Sequence, residues 1–300
     1  MQKTKEHRSR IAELQQIIFG VLEWLWDVFV EPIFSKLGYI GTGDDCVVQG
    51  KVWWCLTRIL SYLPIHAAGY HNSPSQGRTV IDHVISCYTS SIKALKYSRD
   101  RADLSEGKNP LIVAMPHTPG HRDLPLAEDE GYRIKYILAN TSQPDYMENL
   151  EVDAMCKELP ERSIVHLICH VLVEEANPSK SRILLKDGSL TVAHISRLKI
   201  PPGAMAYLSA CSTALSQAES LDDERITLNT AFQVAGFAGV VGCLWKADDE
   251  ASFYMATSFY NHLQGDNARA AEALHRGVLE LRKQFPKEPS IWAPYMYTGA

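Results

Sequence analysis

Short apolar runs alternate along this chain with longer segments whose apolar positions recur at steps of three and four. The runs Lys51–Thr57, Val84–Thr89, Leu111–Pro116, Ser163–Cys169, Ala204–Ala210 and Val240–Trp245 read as strands, with a further short one at Asp145–Leu150. Helical periodicity falls on Ala127–Leu138, Val152–Leu159, Leu228–Phe237, Ala251–Leu263 and Ala270–Phe285. Strands with little in-out alternation are buried on both faces, and helices between them supply the cover. The expectation is an α/β fold, a mostly parallel sheet with helices on both sides. In such sheets chemistry gathers at the carboxyl ends of the strands. That rule selects His170, Cys211 and the segment Lys246-Ala247-Asp248-Asp249, each of which follows a predicted strand.

The amino-terminal stretch has a different pattern. Ile11, Leu14, Ile18, Leu22, Leu25 and Phe29 form one stripe of an amphipathic helix, expected to break near Pro32. Glu13, Glu23, Asp27 and Glu31 interrupt it, so no run approaches the ~18 uncharged residues of a membrane span. Residues 1–50 therefore read as a helical segment laid on a main domain at 51–300, or as a surface that docks a helical-repeat or signalling partner. Loop-rich punctuation falls at Gly69–Gly77 and Arg101–Pro110.

Composition narrows the classes. The 300 residues are 46% hydrophobic and 22% charged, which excludes a disordered, collagenous or coiled-coil protein. The net charge of −5, with no Lys/Arg block, argues against nucleic acid as a partner. Seven cysteines occur with no CxxC pair, unlike a disulfide framework or a zinc ribbon. Reduced thiols in the cytoplasm are the expectation.

In an extended run His166, Ile168 and His170 share one face and Cys169 takes the other. Cys169 then belongs to the core, and His166 is a core histidine or a support to the site. A zinc site built from His166, His170 and Cys211 lacks the glutamate of a metalloprotease helix, so neither a metal nor an organic cofactor is expected. A Cys/His pair for nucleophilic catalysis remains, since an imidazole can take the thiol proton and later return it to a leaving amine. His170 precedes Cys211 by 41 residues. That order is the caspase one, with its histidine about 50 residues upstream, and not that of papain.

The segments VHLICH (165–170), LLKDGSLTV (184–192) and AYLSACST (206–213) resemble a CHAT domain of the caspase- and separase-like cysteine peptidases. VWWCLTRILSYLPIHAAG (52–69), VISCYTSSIKAL (84–95), LAEDE (126–130), AFQVAGFAGVVGCLWKADD (231–249) and AEALHRGV (271–278) extend the likeness to the carboxyl terminus. The resemblance implies a caspase-like three-layer α/β/α sandwich and a cysteine endopeptidase acting on a protein or peptide. It makes Cys211 the nucleophile and His170 the base and then the acid. The backbone amides of Val171 and Cys211 would form the oxyanion hole, and Asp248 or Asp249 would receive a basic P1 side chain.

One departure bears on activity: family members usually have Gly after the histidine, and here it is Val171. A β-branched residue resists φ > 0 and close substrate approach. The rival reading is therefore a weak or inactive interaction module in cell-death or defence signalling. A non-peptidase acyl-transfer enzyme is a third. Many family members carry tetratricopeptide repeats ahead of this domain, but no 34-residue period appears here. Trp53, Trp54, Trp245 and Trp292 read as core or cleft-wall aromatics, His66 as structural, and His117 and His121 as ordinary loop histidines. Residues Glu219 to Glu224 read as an acidic loop, either a lid or solvated surface.

Overall fold

The computed structural model describes residues 2–39, 50–72, 78–102, 109–172, 174, 177–202, 204–209 and 228–300. Apolar runs become strands almost where the pattern put them: β1 Lys51–Trp54, β2 Ile85–Tyr88, β3 Leu111–Ala114, β4 Asp145–Glu148 and β5 Ile164–Ile168. A small antiparallel sheet follows, of β6 Val171–Leu172, β7 Arg182–Leu184 and β8 Ser189–Thr191. Then come β9 Met205–Ser209, β10 Gly239–Cys243 and β11 Tyr295–Gly299.

The main sheet has the order β1-β2-β11-β10-β9-β5-β3-β4. Every neighbouring pair in it is parallel except β10 with β11. The sheet is thus two parallel blocks of opposite direction, joined at that one seam. Strand β11 was not among the expected strands. It follows closely on a helix at the end of the chain, yet it fills the middle of the sheet.

Alternation along the strands separates two cores. Ile112, Ile168, Tyr207 and Val241 face one side, under helices α5 (Ala127–Leu138), α9 (Asp249–Leu263) and α10 (Ala270–Gln284). Leu111, Val113, Val165, Leu167 and Leu208 face the other, beneath α6 (Val152–Glu158), α7 (Val192–Ile195), α8 (Leu228–Val234) and the small sheet. The three-layer sandwich follows from this. Helix α5 approaches β4 closely because residue 131 is Gly; a Cβ there would lie 2.3 Å from the Tyr146 ring. Short helices α3 (Val80–His83) and α11 (Pro289–Trp292), with α4 (Ile92–Ala102), complete the connections.

The amino-terminal helix does not stop at Pro32. Helix α1 (Gln2–Leu25) passes through a π-helical turn at Trp26–Val30 into α2 (Glu31–Leu37). The amide of Glu31 bonds to the Trp26 carbonyl, five residues back. A proline inside a helix removes a donor and crowds the preceding turn. Here the widened turn comes first and Pro32 sits in the opening turn of α2, where a missing N–H is tolerated. Leu25, Trp26, Val30 and Phe34 pack with Trp54, Ile65, Val84 and Met296 into a third apolar cluster. Gln15 fastens the same face by exchanging two hydrogen bonds with Ser290.

Candidate active site

From β3 the chain moves outward to β4, then returns past β3 to β5 and continues outward the other way through β9 and β10. The order reverses between β3 and β5, and the crevice at their carboxyl ends is where open α/β sheets place ligands. Both loops that leave this point are tied together. Met115 N donates to the Ile168 carbonyl at 2.9 Å.

His170 lies two residues beyond β5 and is buried. Its Nε2 is 2.6 Å from the Arg122 carbonyl oxygen. A carbonyl only accepts, so Nε2 carries a hydrogen and donates it. The loop that supplies Arg122 is built for the purpose. Leu124 N donates to the Pro116 carbonyl at its base, and His121 N to the Thr118 carbonyl at its tip. Pro119 followed by Gly120 at φ 77° makes that tip a type II turn. Between tip and base, His117 Nδ1 meets Asp123 at 2.9 Å on the surface. That bond raises the His117 pKa above its ordinary value. The His121 ring packs against His170, centroid to centroid 5.3 Å. His121 is thus more than the ordinary loop histidine its sequence context suggested.

After His170 the chain enters β6, where Val171 opposes Ile183 of β7. Leu184 N donates to the His170 carbonyl. In an antiparallel ladder bonded pairs alternate with non-bonded ones, so the Val171 amide points away from β7. Val171 is buried in the second core. It is also extended: Asn149 and Gln264 are the non-glycine residues with positive φ among those described. The backbone after His170 therefore asks for no glycine. The small sheet is pinned by Asp187, whose carboxylate accepts from Val152 N at the start of α6. Cys169 is fully buried on the opposite face from His166, as alternation required.

Cys211 and the acidic stretch Glu219 to Glu224 lie outside the described residues. Strand β9 ends at Ser209, which is in register with Ile168 of β5.

The two acids after β10 have different roles. Asp248 caps α9, accepting from Glu250 N at 3.0 Å and Ala251 N at 3.1 Å. Asp249 lines a narrow crevice with Leu124, Leu126, Ala127, Glu130, Ile168 and Ser252. Glu130 is 3% exposed. It accepts from His166 Nε2 at 2.9 Å, and His166 Nδ1 is 3.1 Å from the Tyr260 hydroxyl. Burial, and after it the charge on Glu130, raise Tyr207 and Tyr260 well above the ordinary phenol value. Tyr260 therefore stays protonated and donates to Nδ1, so His166 passes its own hydrogen to Glu130. With both ring nitrogens engaged, His166 is a support and not a ligand. Among the described residues no three potential metal ligands cluster.

Residues 20–300 match the CHAT domain family. The chain belongs to that family. This CHAT domain has no match among curated proteins in sequence. Among solved structures it resembles the Arg-specific cysteine proteinase gingipain R, with a TM-score of 0.49 and 10% identity over 71% of this chain and 53% of that one. It therefore spans about half the length of that structure. The complex of pro- and mature domains of RgpB from Porphyromonas gingivalis gives a TM-score of 0.55 and 10% identity, covering 96% and 76%. Saccharomyces cerevisiae separase, in its complex with securin, gives 0.51 and 12%, covering 72% and 14%. At such identities the likeness is one of fold, and it places the CHAT domain in a caspase-like sandwich. Among the described residues no helix is long and apolar enough to cross a membrane.

Three features of the CHAT domain site were not read from its sequence: the Arg122 carbonyl, the His121 ring and Glu130. The first two depend on a loop conformation. Glu130 left a trace, because it stands with Ala127, Ile134 and Leu138 on the buried face of α5. An acid on an apolar stripe needs a partner.

Proposed function

We propose that this CHAT domain is a cysteine endopeptidase with Cys211 as nucleophile and His170 as its base. The observation that carries the reading is the His170 ring, buried at the switch point and held there by its Nε2–H on the Arg122 carbonyl. Chain geometry supports the pairing. His170 and Cys211 each follow by two residues one of the registered partners Ile168 and Ser209.

In the first step Cys211 gives its proton to His170 Nδ1 and the sulfur bonds to the scissile carbonyl carbon. The oxyanion is met by the amides of Val171 and Cys211. As the intermediate collapses, the C–N bond breaks and His170 returns the proton to the departing amine. Water, deprotonated by the same ring, then releases the acyl group from sulfur. Each oxyanion donor typically contributes about 2.7–4 kcal/mol in such sites. The extended Val171 backbone supports an intact donor over a decayed one.

For the substrate we infer a basic P1 residue. Asp249 and buried Glu130 line one crevice, and Ile168 in its wall is two residues from His170. Two carboxylates suit a guanidinium or ammonium group. Asp248 contributes as the cap that fixes where α9, and hence Asp249, begins. A free thiol nucleophile fits a reducing compartment, and the cytoplasm is the location we infer.

The test is the pH dependence of Cys211 alkylation, followed by mass spectrometry, in the wild type and in His170→Ala. An activated thiol titrates well below the free value of about 8.5 and loses that activation without His170. A Cys211 that titrates like a free thiol in both proteins sinks the peptidase reading and leaves a binding module. Activation would be followed by a peptide library with Arg, Lys, Asp or Leu at P1; preference for Asp or Leu would refute the acidic pocket.

A further inference from the structure

Helix α1 has a second apolar stripe that its own domain does not use. The buried stripe runs through Phe19, Leu22, Leu25 and Trp26. On the outer side Leu14, Ile17, Val21, Trp24 and Val28 follow one another at steps of three, four, three and four. Of these, Leu14 is 50% exposed, Ile17 58%, Trp24 52% and Val28 59%. The spacing is that of a helix–helix seam, and apolar side chains so exposed are rare at that density on a monomer surface.

Gly20 stands beside the stripe. A glycine in a helix interior costs about 1 kcal/mol against alanine, and such a cost usually has a packing cause. Within the monomer there is none, since a Cβ at Gly20 meets nothing within 4 Å. Next to exposed Ile17 and half-buried Val21, the missing side chain is a hole of the kind a partner helix fills.

Charge indicates which helix. Apart from Glu6, the sequence is basic at Lys3, Lys5, Arg8 and Arg10, then acidic at Glu13, Glu23, Asp27 and Glu31. A parallel copy would set acid against acid. An anionic membrane would be repelled by the acidic end. An antiparallel copy brings opposite ends together. With a twofold axis beside Gly20 and Val21, Ile17 meets Trp24 of the second copy, Gly20 meets its Val21, and Arg10 meets its Glu31. We propose that α1 is a self-association helix, pairing antiparallel with α1 of a second copy of this chain. Apolar matching, the hole at Gly20 and the end charges all select the same axis. The 24-residue helix is about 36 Å long, enough for a standard interface of about 800 Å² per partner.

Sedimentation equilibrium tests this on the whole chain. The wild type should show a concentration-dependent dimer, and Trp24→Glu should weaken it at least about tenfold. Gly20→Leu separates packing from folding. It should keep or raise the melting temperature, because the monomer has room and leucine favours helix, while blocking the dimer. Arg10→Glu and Glu31→Arg should each weaken association several-fold, and the double swap should recover it. A wild type that stays monomeric at on the order of 100 μM overturns the proposal, whether or not the helix then binds vesicles or another protein. So does a dimer indifferent to Gly20→Leu and Trp24→Glu. A dimer weakened by these two but not rescued by the charge swap overturns the antiparallel axis.

Discussion

Two groups of buried histidines divide this molecule. At the carboxyl ends of β3 and β5, His170 and His166 each bond through a ring nitrogen to a strong acceptor, the Arg122 carbonyl and the Glu130 carboxylate. Beneath α1 lie His66, which is buried, and His71 and His275, which are half-buried near Arg282 and Asp82. Burial, ahead of every other cause, lowers all three to about 4. His66 takes its hydrogen bond from the Tyr88 hydroxyl, and His71 packs 4.7 Å from the Trp292 ring. His66 and His275 line one narrow crevice. The second group is kept neutral at ordinary pH. The acceptor is not what separates them, since His71 Nε2 also lies 2.7 Å from the Ala67 carbonyl; the place of each ring in the fold is.

The sharpest way to break this contrast is His170→Ala. It should lower peptide cleavage, measured as kcat/KM, by about 10²–10⁴-fold, with little change in the thermal midpoint. A comparable loss from His66→Ala at unchanged stability would erase the distinction.

Acid should act on the second group. Each of its rings binds a proton more readily unfolded, at an ordinary value of 6.5, than folded, at about 4. Their contribution is therefore intact above about pH 6.5 and is lost as the pH falls towards 4. At one pKa unit per 1.36 kcal/mol, His66 alone contributes about 3 kcal/mol to that slope, and the less buried His71 and His275 less. Urea unfolding between pH 7 and 4 reads it, and His66→Phe should flatten it. An unchanged slope in that variant would move the acid sensitivity elsewhere.

Glu130→Gln should cost about 1–3 kcal/mol in urea unfolding, because the His166 Nε2–H then faces a weaker acceptor. It should also raise KM for peptides with Arg at P1 more than it changes kcat. Equal loss across all P1 residues would make Glu130 purely structural. The smallest effect should come from His121→Ala. The side chain is exposed, so stability should move within about 0.5 kcal/mol. Cleavage should fall only a few-fold as His170 loses one packed neighbour.

What was legible in the sequence follows the range of the forces involved. Helix Ala127–Leu138 was read to the residue, because its periodicity is local. Strands β5 and β9 were read within a residue or two, and with them the position of His170. Cys169 and His166 fell on the expected faces because pleating leaves no choice. The break at Pro32 was a reasonable local inference, overturned by a π turn held in place by the packing of Trp26 and Phe34. Strand β11 was illegible because its neighbours β2 and β10 come from distant parts of the chain. The two acids after β10 could not be told apart from composition; only the cap geometry separates Asp248 from Asp249.

That late strand also constrains synthesis. Tyr88 of β2 waits for Thr298 of β11, a partner about two hundred residues further on. Until those residues leave the ribosome, the two blocks of the sheet have no seam between them, and pairings of such long range close slowly. The nascent chain thus carries His170 and Cys211 for some time in an unfinished sheet. The crevice beside His170 is thus among the last parts of the fold to be secured.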